Sequence, residues 1–226
     1  MRILILYLLL YAFSTSYGQL PEVSKNWEKE HVASRLSSKD LKDYLKYDFS
    51  NILSNQNRFE GDGWSSYTGF FGPKNRRIDF HLLATKISPE VYSVTGKSKL
   101  GENIRELSGK IVLLNAYITN WKAHVITFKY ELNEPGDKDG DGKFVGIGSI
   151  AFQLNENNAE IFWSAAGDYR EYNNVFVGEW QRFNSSVTRE CIFTFYVSGT
   201  HNKLVLKSEL FINHFLKKVN ANAFMN

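Results

Sequence analysis

Three β-rich runs within residues 90–132 constrain the fold more than any other feature of the sequence. They occupy residues 91–95, 104–118 and 124–132. In the last of these runs, one face carries His124, Ile126 and alternate residues to Leu132, and the other carries mostly polar residues, which is typical of a half-buried strand. The breaks between the runs are too short for a crossover helix, so we expect the three strands to be antiparallel neighbours.

Further strands are predicted on both sides of this stretch. We expect them at residues 64–71, 76–86, 144–154, 160–165, 174–183 and 190–198. Short connections with no room for βαβ units favour an up-and-down meander or barrel. The predicted fold class is therefore mainly β, an antiparallel meander or barrel of eight to ten strands with an N-terminal helix and a C-terminal helix.

Glycines recur at strand positions along the whole predicted sheet. They are Gly69, Gly96, Gly109, Gly146, Gly178 and Gly199. Glycine inside a strand lowers stability and is kept mostly where a sheet bends, bulges or meets another backbone closely. Their number indicates a strongly coiled sheet or a closed barrel.

Two segments outside the strands predict helices. Residues 38–53 begin with capping-box spacing at Ser37 and Asp40, and their apolar residues recur at helical spacing. We expect this amphipathic helix to pack on the sheet through Leu41, Leu45, Phe49 and Ile52. Near the C-terminus, residues 203–207 alternate like a strand and residues 208–219 place apolar side chains near one side, which predicts a strand followed by a helix.

Residues 1–18 have the pattern of a signal peptide. Arg2 supplies the positive charge, residues 3–13 form an apolar core, and Ser16 to Gly18 form a small-x-small cleavage site. The apolar core is shorter than the roughly 20 residues that span a bilayer. We therefore expect a soluble mature chain, secreted or periplasmic, with an N-terminal segment over 19–62 and one β-domain over 63–226.

Charge and cysteine content exclude several classes of function. The net charge of +3 comes without a basic cluster interleaved with aromatic residues, which argues against nucleic acid as a partner. The five histidines lie far apart, which argues against zinc. Cys191 is the only cysteine, so no internal disulfide is expected. Its place in a predicted strand favours a buried, inert thiol over a reactive nucleophile.

The architecture resembles a calycin-type barrel, the group that holds lipocalins, fatty-acid-binding proteins and avidins. The resemblance covers residues 63–200 and consists of the meander strands, their Tyr-x-Gly and Val-x-Gly elements, and an opening Gly61-Asp62-Gly63-Trp64. The end of the signal peptide, Ser-Tyr-Gly before Gln19, resembles the export signals of Bacteroidota-type bacteria. The resemblance implies a secreted bacterial protein whose barrel holds a cavity for a small apolar ligand.

Alternating aspartates form the most specific local motif of the chain. Asp137, Asp139 and Asp141 precede Gly142, as in the first half of a calcium loop. Gly148 stands where such a loop has its bidentate glutamate, so the motif predicts weak Ca²⁺ binding at most and no other cofactor. The alternative is an acidic hairpin tip without an ion, because Asp-Gly pairs are ordinary hairpin turns.

Two other groups of residues are candidates for ligand binding. Arg77, Asp79 and His81 share one face of a predicted strand, and they would line a cavity if that face pointed inward or form a solvated face if it pointed outward. The second group, Trp163, Tyr169 and Trp180, lies among carboxylates near residues 168–179. Exposed aromatic rings beside carboxylates suit sugar stacking, although such residues are more often a polar, aromatic loop over a barrel mouth.

These patterns predict an exported, non-enzymatic binding protein without a membrane span. Its partner would be a small apolar molecule, a glycan or a surface protein. Two alternatives stay open. The first is a glycan hydrolase that uses the carboxylates near residues 168–179. The second is a structural or interaction protein that uses sheet edges and aromatic loops.

Overall fold

The computed structural model describes residues 20–55, 67–120, 122–154, 161–163 and 174–194. The signal peptide, Gly199 and the strand and helix predicted over 203–219 lie outside the described residues. Within the described part of the chain, no helix is long and apolar enough to cross a membrane.

The protein is mainly β, as predicted. Its strands are β1 (Ser37–Lys39), β2 (Tyr67–Phe71), β3 (Arg76–Lys86), β4 (Val91–Leu100), β5 (Asn103–Ile118), β6 (His124–Asn133), β7 (Gly142–Leu154), β8 (Ile161–Trp163), β9 (Val175–Arg182) and β10 (Thr188–Thr194). The helical elements are an α-helix at Glu22–Trp27, a π-helix at Glu28–Ala33, a 3₁₀-helix at Leu41–Asp43 and an α-helix at Ser50–Ser54.

Eight of the strands close into an antiparallel barrel. Strands β2 to β7 follow one another as neighbours, β9 and β10 continue from β7, and β10 pairs back with β2. Strand β1 extends the ladder of β5 at residues 116–118, beyond the last residue that pairs with β4, and β8 pairs with β7. Closure leaves no long free edge. This architecture is consistent with the calycin-type barrel that the sequence resembles.

Aromatic side chains fill the middle of the barrel. Residues of β6 alternate as predicted, and Ile126, Phe128, Tyr130 and Leu132 point into the core. Phe193 stacks between two other rings, with centroid distances of 4.0 Å to Phe80 and 4.4 Å to Phe176. These rings fill the centre of the barrel.

Strand glycines lie where neighbouring groups come close, as predicted. Gly146 and Gly178 are direct partners across β7 and β9, and the hydroxyl of Tyr130 lies above both. A Cβ atom would be 2.8 Å from this hydroxyl at Gly146 and 2.6 Å from it at Gly178. Only glycine at these two positions leaves room for the Tyr130 side chain.

The single helix predicted over residues 38–53 is wrong. This stretch forms β1, the 3₁₀-helix and the short helix Ser50–Ser54 instead. Two aspartate side chains accept hydrogen bonds from amides two residues later, Asp40 from Lys42 at 3.0 Å and Asp48 from Ser50 at 2.8 Å. Such local bonds compete with a continuous helix. The predicted packing is nevertheless present, because the four stripe residues all contact the core.

Residues 44–54, here called the plug, cover one end of the barrel. Its backbone is held by side chains from the strand ends around it. The bonds run from Tyr67 Oη to Leu53 O, from Asn174 Nδ2 to Ile52 O, from Lys86 Nζ to Leu45 O and Tyr47 O, and from Phe49 N to Tyr92 Oη. The buried polar backbone of the plug is thereby satisfied without regular secondary structure.

The N-terminal helix packs on the outer face of the barrel. Trp27 and Val32 join an apolar cluster with residues of β6, β7, β9 and β10. Ser24 Oγ donates a hydrogen bond to Val177 O at 2.7 Å, and Glu28 accepts one from Thr127 Oγ1 at 3.1 Å. The α-helix Glu22–Trp27 continues directly into the π-helix Glu28–Ala33, which carries Glu28 and Val32.

Candidate functional site

The end of the barrel opposite the plug contains a cavity of about 360 Å³ that is partly open to solvent. Four hairpins meet at this end, those joining β2 to β3, β4 to β5, β6 to β7 and β9 to β10. The apolar wall consists of Phe71, Ile78, Leu100, Phe144, Trp180 and Val187. The polar side chains that line the cavity are Ser98, Asn103, Arg105, Glu134, Arg182 and Arg189.

Glu134 is the only acidic side chain among the lining residues that the structure describes, and it is buried. Its Oε2 atom accepts hydrogen bonds from Trp180 Nε1 at 3.0 Å and from the amide of Gly142 at 2.6 Å. Burial raises the pKa of Glu134, and these two bonds and the charge of Arg105 oppose the rise only in part. Since Oε2 already accepts two bonds, a proton on this carboxyl belongs on Oε1.

Asp141 fixes the loop between β6 and β7 next to Glu134. Its Oδ1 accepts a hydrogen bond from Arg105 Nε at 2.9 Å, and its Oδ2 accepts one from each of the amides of Gly136 and Lys138 at 3.2 Å. Burial on its own would raise the pKa of Asp141, but the bonds from Lys138, Arg105 and Gly136 together lower it. Asp141 is therefore an ionised structural anchor whose two oxygens are both engaged.

The structure confirms the hairpin predicted around the aspartate motif and separates its carboxylates. Asp139 forms an ion pair with Arg182, Asp141 is directed to Arg105, and Asp137 is exposed. Across the described residues, no group of three or more His, Cys, Asp or Glu side chains is arranged to hold a metal ion. Weak Ca²⁺ binding stays a prediction.

Arg77, Asp79 and His81 lie on the outer face of β3. The residues that alternate with them, such as Ile78 and Phe80, are buried in the barrel core. Asp79 Oδ1 accepts hydrogen bonds from Arg77 Nε at 3.0 Å and from Thr68 Oγ1 at 2.8 Å. Of the two orientations that the sequence left open, the structure has the outward one.

The three aromatic candidates have different positions. Trp180 lines the cavity and binds Glu134, Trp163 belongs to β8, and Tyr169 lies outside the described residues. Among the carboxylates near residues 168–179, Glu179 is described, and it lies on the face of β9 opposite Trp180. Of this set, Trp180 is the aromatic candidate whose side chain is described, and it lies at the cavity.

Sequence reasoning did not predict the charged residues of the cavity. Glu134 and Arg105 each lie two positions from an inward-facing leucine, Leu132 and Leu107 respectively. The sequence signal that could have identified them is a charged residue at the end of a strand, two positions from an apolar residue that faces the barrel core. Cys191 is buried, and burial raises the pKa of its thiol well above the ordinary value, in agreement with an inert thiol.

Comparisons with protein-family models, curated proteins and solved structures found no match to this chain.

Proposed function

We propose that this protein is an exported, non-enzymatic binding protein that takes a small ligand with an apolar or aromatic body into the cavity. The cavity is the observation that carries the proposal. Its volume of about 360 Å³ falls within the range of sites that hold small molecules, and its wall combines apolar side chains with a few polar groups. Export is supported by the signal-peptide pattern of residues 1–18.

The construction of the barrel supports a preformed site. Aromatic rings pack the centre below the cavity, and most of the lining residues stand on strands that are paired on both sides. A site on a closed sheet changes little when a ligand enters, so less binding energy is lost to ordering the protein.

The arrangement of acids favours binding over glycan hydrolysis. Hydrolysis of a glycosidic bond ordinarily uses two carboxyl groups that face each other across the substrate. Glu134 lines the cavity, but both oxygens of neighbouring Asp141 are held by Arg105 and the loop amides. Among the described residues, this leaves Glu134 as the one carboxyl group at the cavity, which suits recognition of a ligand.

N-phenyl-1-naphthylamine, a neutral aromatic dye that fluoresces in apolar sites, tests the proposal. We expect a saturable rise in fluorescence with the purified protein. Leu100→Trp, which places a larger side chain in the cavity wall, is expected to weaken dye binding at least tenfold, since it fills space that the ligand would occupy.

The matched control is Leu83→Trp, because Leu83 is 43% exposed and does not line the cavity. Circular dichroism checks that both variants keep the β-fold. An absence of saturable dye binding, or equal binding by the two folded variants, would count against the proposal.

A further inference from the structure

The inward-facing positions at the mouth of the cavity carry arginines. Alternate residues of a strand share a face. Arg182 is two residues after the inward-facing Trp180, and Arg189 is two residues before Cys191, whose side chain lies in the barrel core. Both arginines line the cavity, as does Arg105 at the start of β5.

A fourth arginine faces the same end of the barrel. Arg76 is two residues before the core residue Ile78, and its Nη2 atom lies 3.5 Å from the position of a Cβ atom on Gly101, in the turn between β4 and β5. Three arginines thus line the cavity, with Glu134 as the one acid among its described lining residues, and Arg76 lies at the same end of the barrel. Since burial raises the pKa of Glu134, its negative charge is also disfavoured.

The arginines differ in how firmly the protein itself holds them. Arg105 is committed to Asp141, whose side chain is 1% exposed. Arg182 pairs with Asp139, whose side chain is 94% exposed, and ion pairs of this kind are weak. Arg189 is exposed and donates from Nη1 to the carbonyl of Thr188 at 2.9 Å. Arg182 and Arg189 therefore have donors that a ligand can engage.

These two arginines flank the apolar wall. Both belong to the hairpin of β9 and β10, in which Arg189 is the register partner of Trp180 and the amide of Arg182 donates to Val187 O at 3.0 Å. A guanidinium group presents a planar set of donors that matches the oxygens of a carboxylate, sulfonate or phosphate. A ligand with its body against Trp180 would therefore carry its acid group at the arginines.

We infer that the cavity selects organic anions, in which one acid group is attached to a flat apolar body, and that Arg182 and Arg189 hold the acid group. This inference rests on the proposed function, because it assigns a ligand class to the same cavity. The favourable contacts are the apolar wall for the body and the two guanidinium groups for the acid.

Two dyes with the same skeleton test the inference. 8-Anilino-1-naphthalenesulfonate carries a sulfonate group that N-phenyl-1-naphthylamine lacks. We expect the unmodified protein to bind the sulfonate about tenfold more tightly than the neutral dye, as hydrogen bonds to a charged group predict. This preference should fall as salt is added, because the arginines are partly exposed.

The decisive variant is Arg182→Gln combined with Arg189→Gln, which removes both charges and keeps polar, unbranched side chains. It is expected to lose the preference for the sulfonate and to bind the two dyes about equally, and circular dichroism checks that it keeps the β-fold. Arg77→Gln on the outer face is the matched control and should keep the preference.

The outcomes separate the two proposals. If neither dye binds the unmodified protein, the proposed function fails and the inference fails with it. If both dyes bind equally, or if the double variant keeps the preference for the sulfonate, the inference is overturned while small-ligand binding stands. Tighter binding of a naphthylammonium cation than of the sulfonate would likewise overturn it and would assign the polar contact to Glu134.

Discussion

Glu134 and Asp141 lie at the two ends of one hairpin loop, yet their surroundings move their pKa values in opposite directions. Burial dominates at Glu134 and raises its pKa, whereas hydrogen bonds from Lys138, Arg105 and Gly136 outweigh burial at Asp141 and lower its pKa. The two acids consequently have different roles. Glu134 gives the cavity a polar group, and Asp141 holds the loop and Arg105 in place.

Replacement of Asp141 by Asn is expected to lower the free energy of unfolding at neutral pH by roughly 2–4 kcal/mol, since it leaves the partly buried Arg105 without its counter-charge. The contribution of a carboxyl whose pKa is lowered by folding is present above its ordinary pKa and lost as pH falls through its folded pKa. The difference between the two proteins should therefore shrink under acidic conditions. Urea unfolding at several pH values measures it.

The control for this prediction is Asp139→Asn. The side chain of Asp139 is 94% exposed in its pair with Arg182, so its charge should contribute little to stability. Equal losses of stability in the two variants would show that Asp141 is not the anchor of the loop.

At the scale of elements, the plug shows how an irregular segment can close a barrel. Phe49, Ile52 and Leu53 enter the core, while side chains from the strand ends bind the plug's carbonyl and amide groups. Burial raises the pKa of Tyr92 to about 12, so its hydroxyl stays neutral while it accepts a bond from the amide of Phe49. Core packing and hydrogen bonds to its backbone groups thus stabilise the plug, although it does not form a continuous helix.

Leu53→Ala is expected to cost about 2–5 kcal/mol of unfolding free energy, because the side chain is fully buried and its removal leaves a void. Dye binding to the folded variant should be unchanged, because the plug and the cavity lie at opposite ends of the barrel. Chemical denaturation and dye titration measure the two effects, with Leu83→Ala on the surface as control. A large change in dye affinity without loss of stability would contradict this division between the ends.

At the scale of the whole molecule, the barrel depends on close packing at Gly146 and Gly178, where the neighbouring strands β7 and β9 pair in its wall. The hydroxyl of Tyr130 has no hydrogen-bond partner among the described residues and lies above Gly146 and Gly178. The glycines therefore make room for a large ring that fills the core rather than for a turn. Three strands therefore meet in this contact, because Tyr130 belongs to β6 and the two glycines belong to β7 and β9.

Gly178→Ala is expected to lower the free energy of unfolding by roughly 1–3 kcal/mol, as is usual when an atom is added to a packed core. The new methyl group would lie 2.6 Å from Tyr130 Oη and would also meet the carbonyl of Val145. Thermal unfolding measures the loss. Glu179→Ala, at the neighbouring outward position, should have little effect, and an equally stable Gly178→Ala protein would show that the strands can separate at this point.

The sequence determined the strands because their signals are local. Period two and short connections placed β3 at residues 76–86, as observed, and predicted the antiparallel order of β3 to β7. The stripe over residues 38–53 correctly identified side chains that enter the core. It did not identify their backbone, because helical spacing in a short segment is also met by an irregular chain whose aspartates bind nearby amides.

Only the tertiary structure decided between an open meander and a closed barrel and placed the residues of the cavity. The pairing of Cys191 with Phe71 joins strands that are far apart in the chain. Backbone hydrogen bonds between strands do not depend on side-chain identity, so the sequence does not show which strand the partner will be. Trp180 was predicted from its side-chain type alone. Glu134, Arg182 and Arg189 form one site with it because closure brings the ends of distant hairpins together, and the same closure buries Glu134 and so raises its pKa.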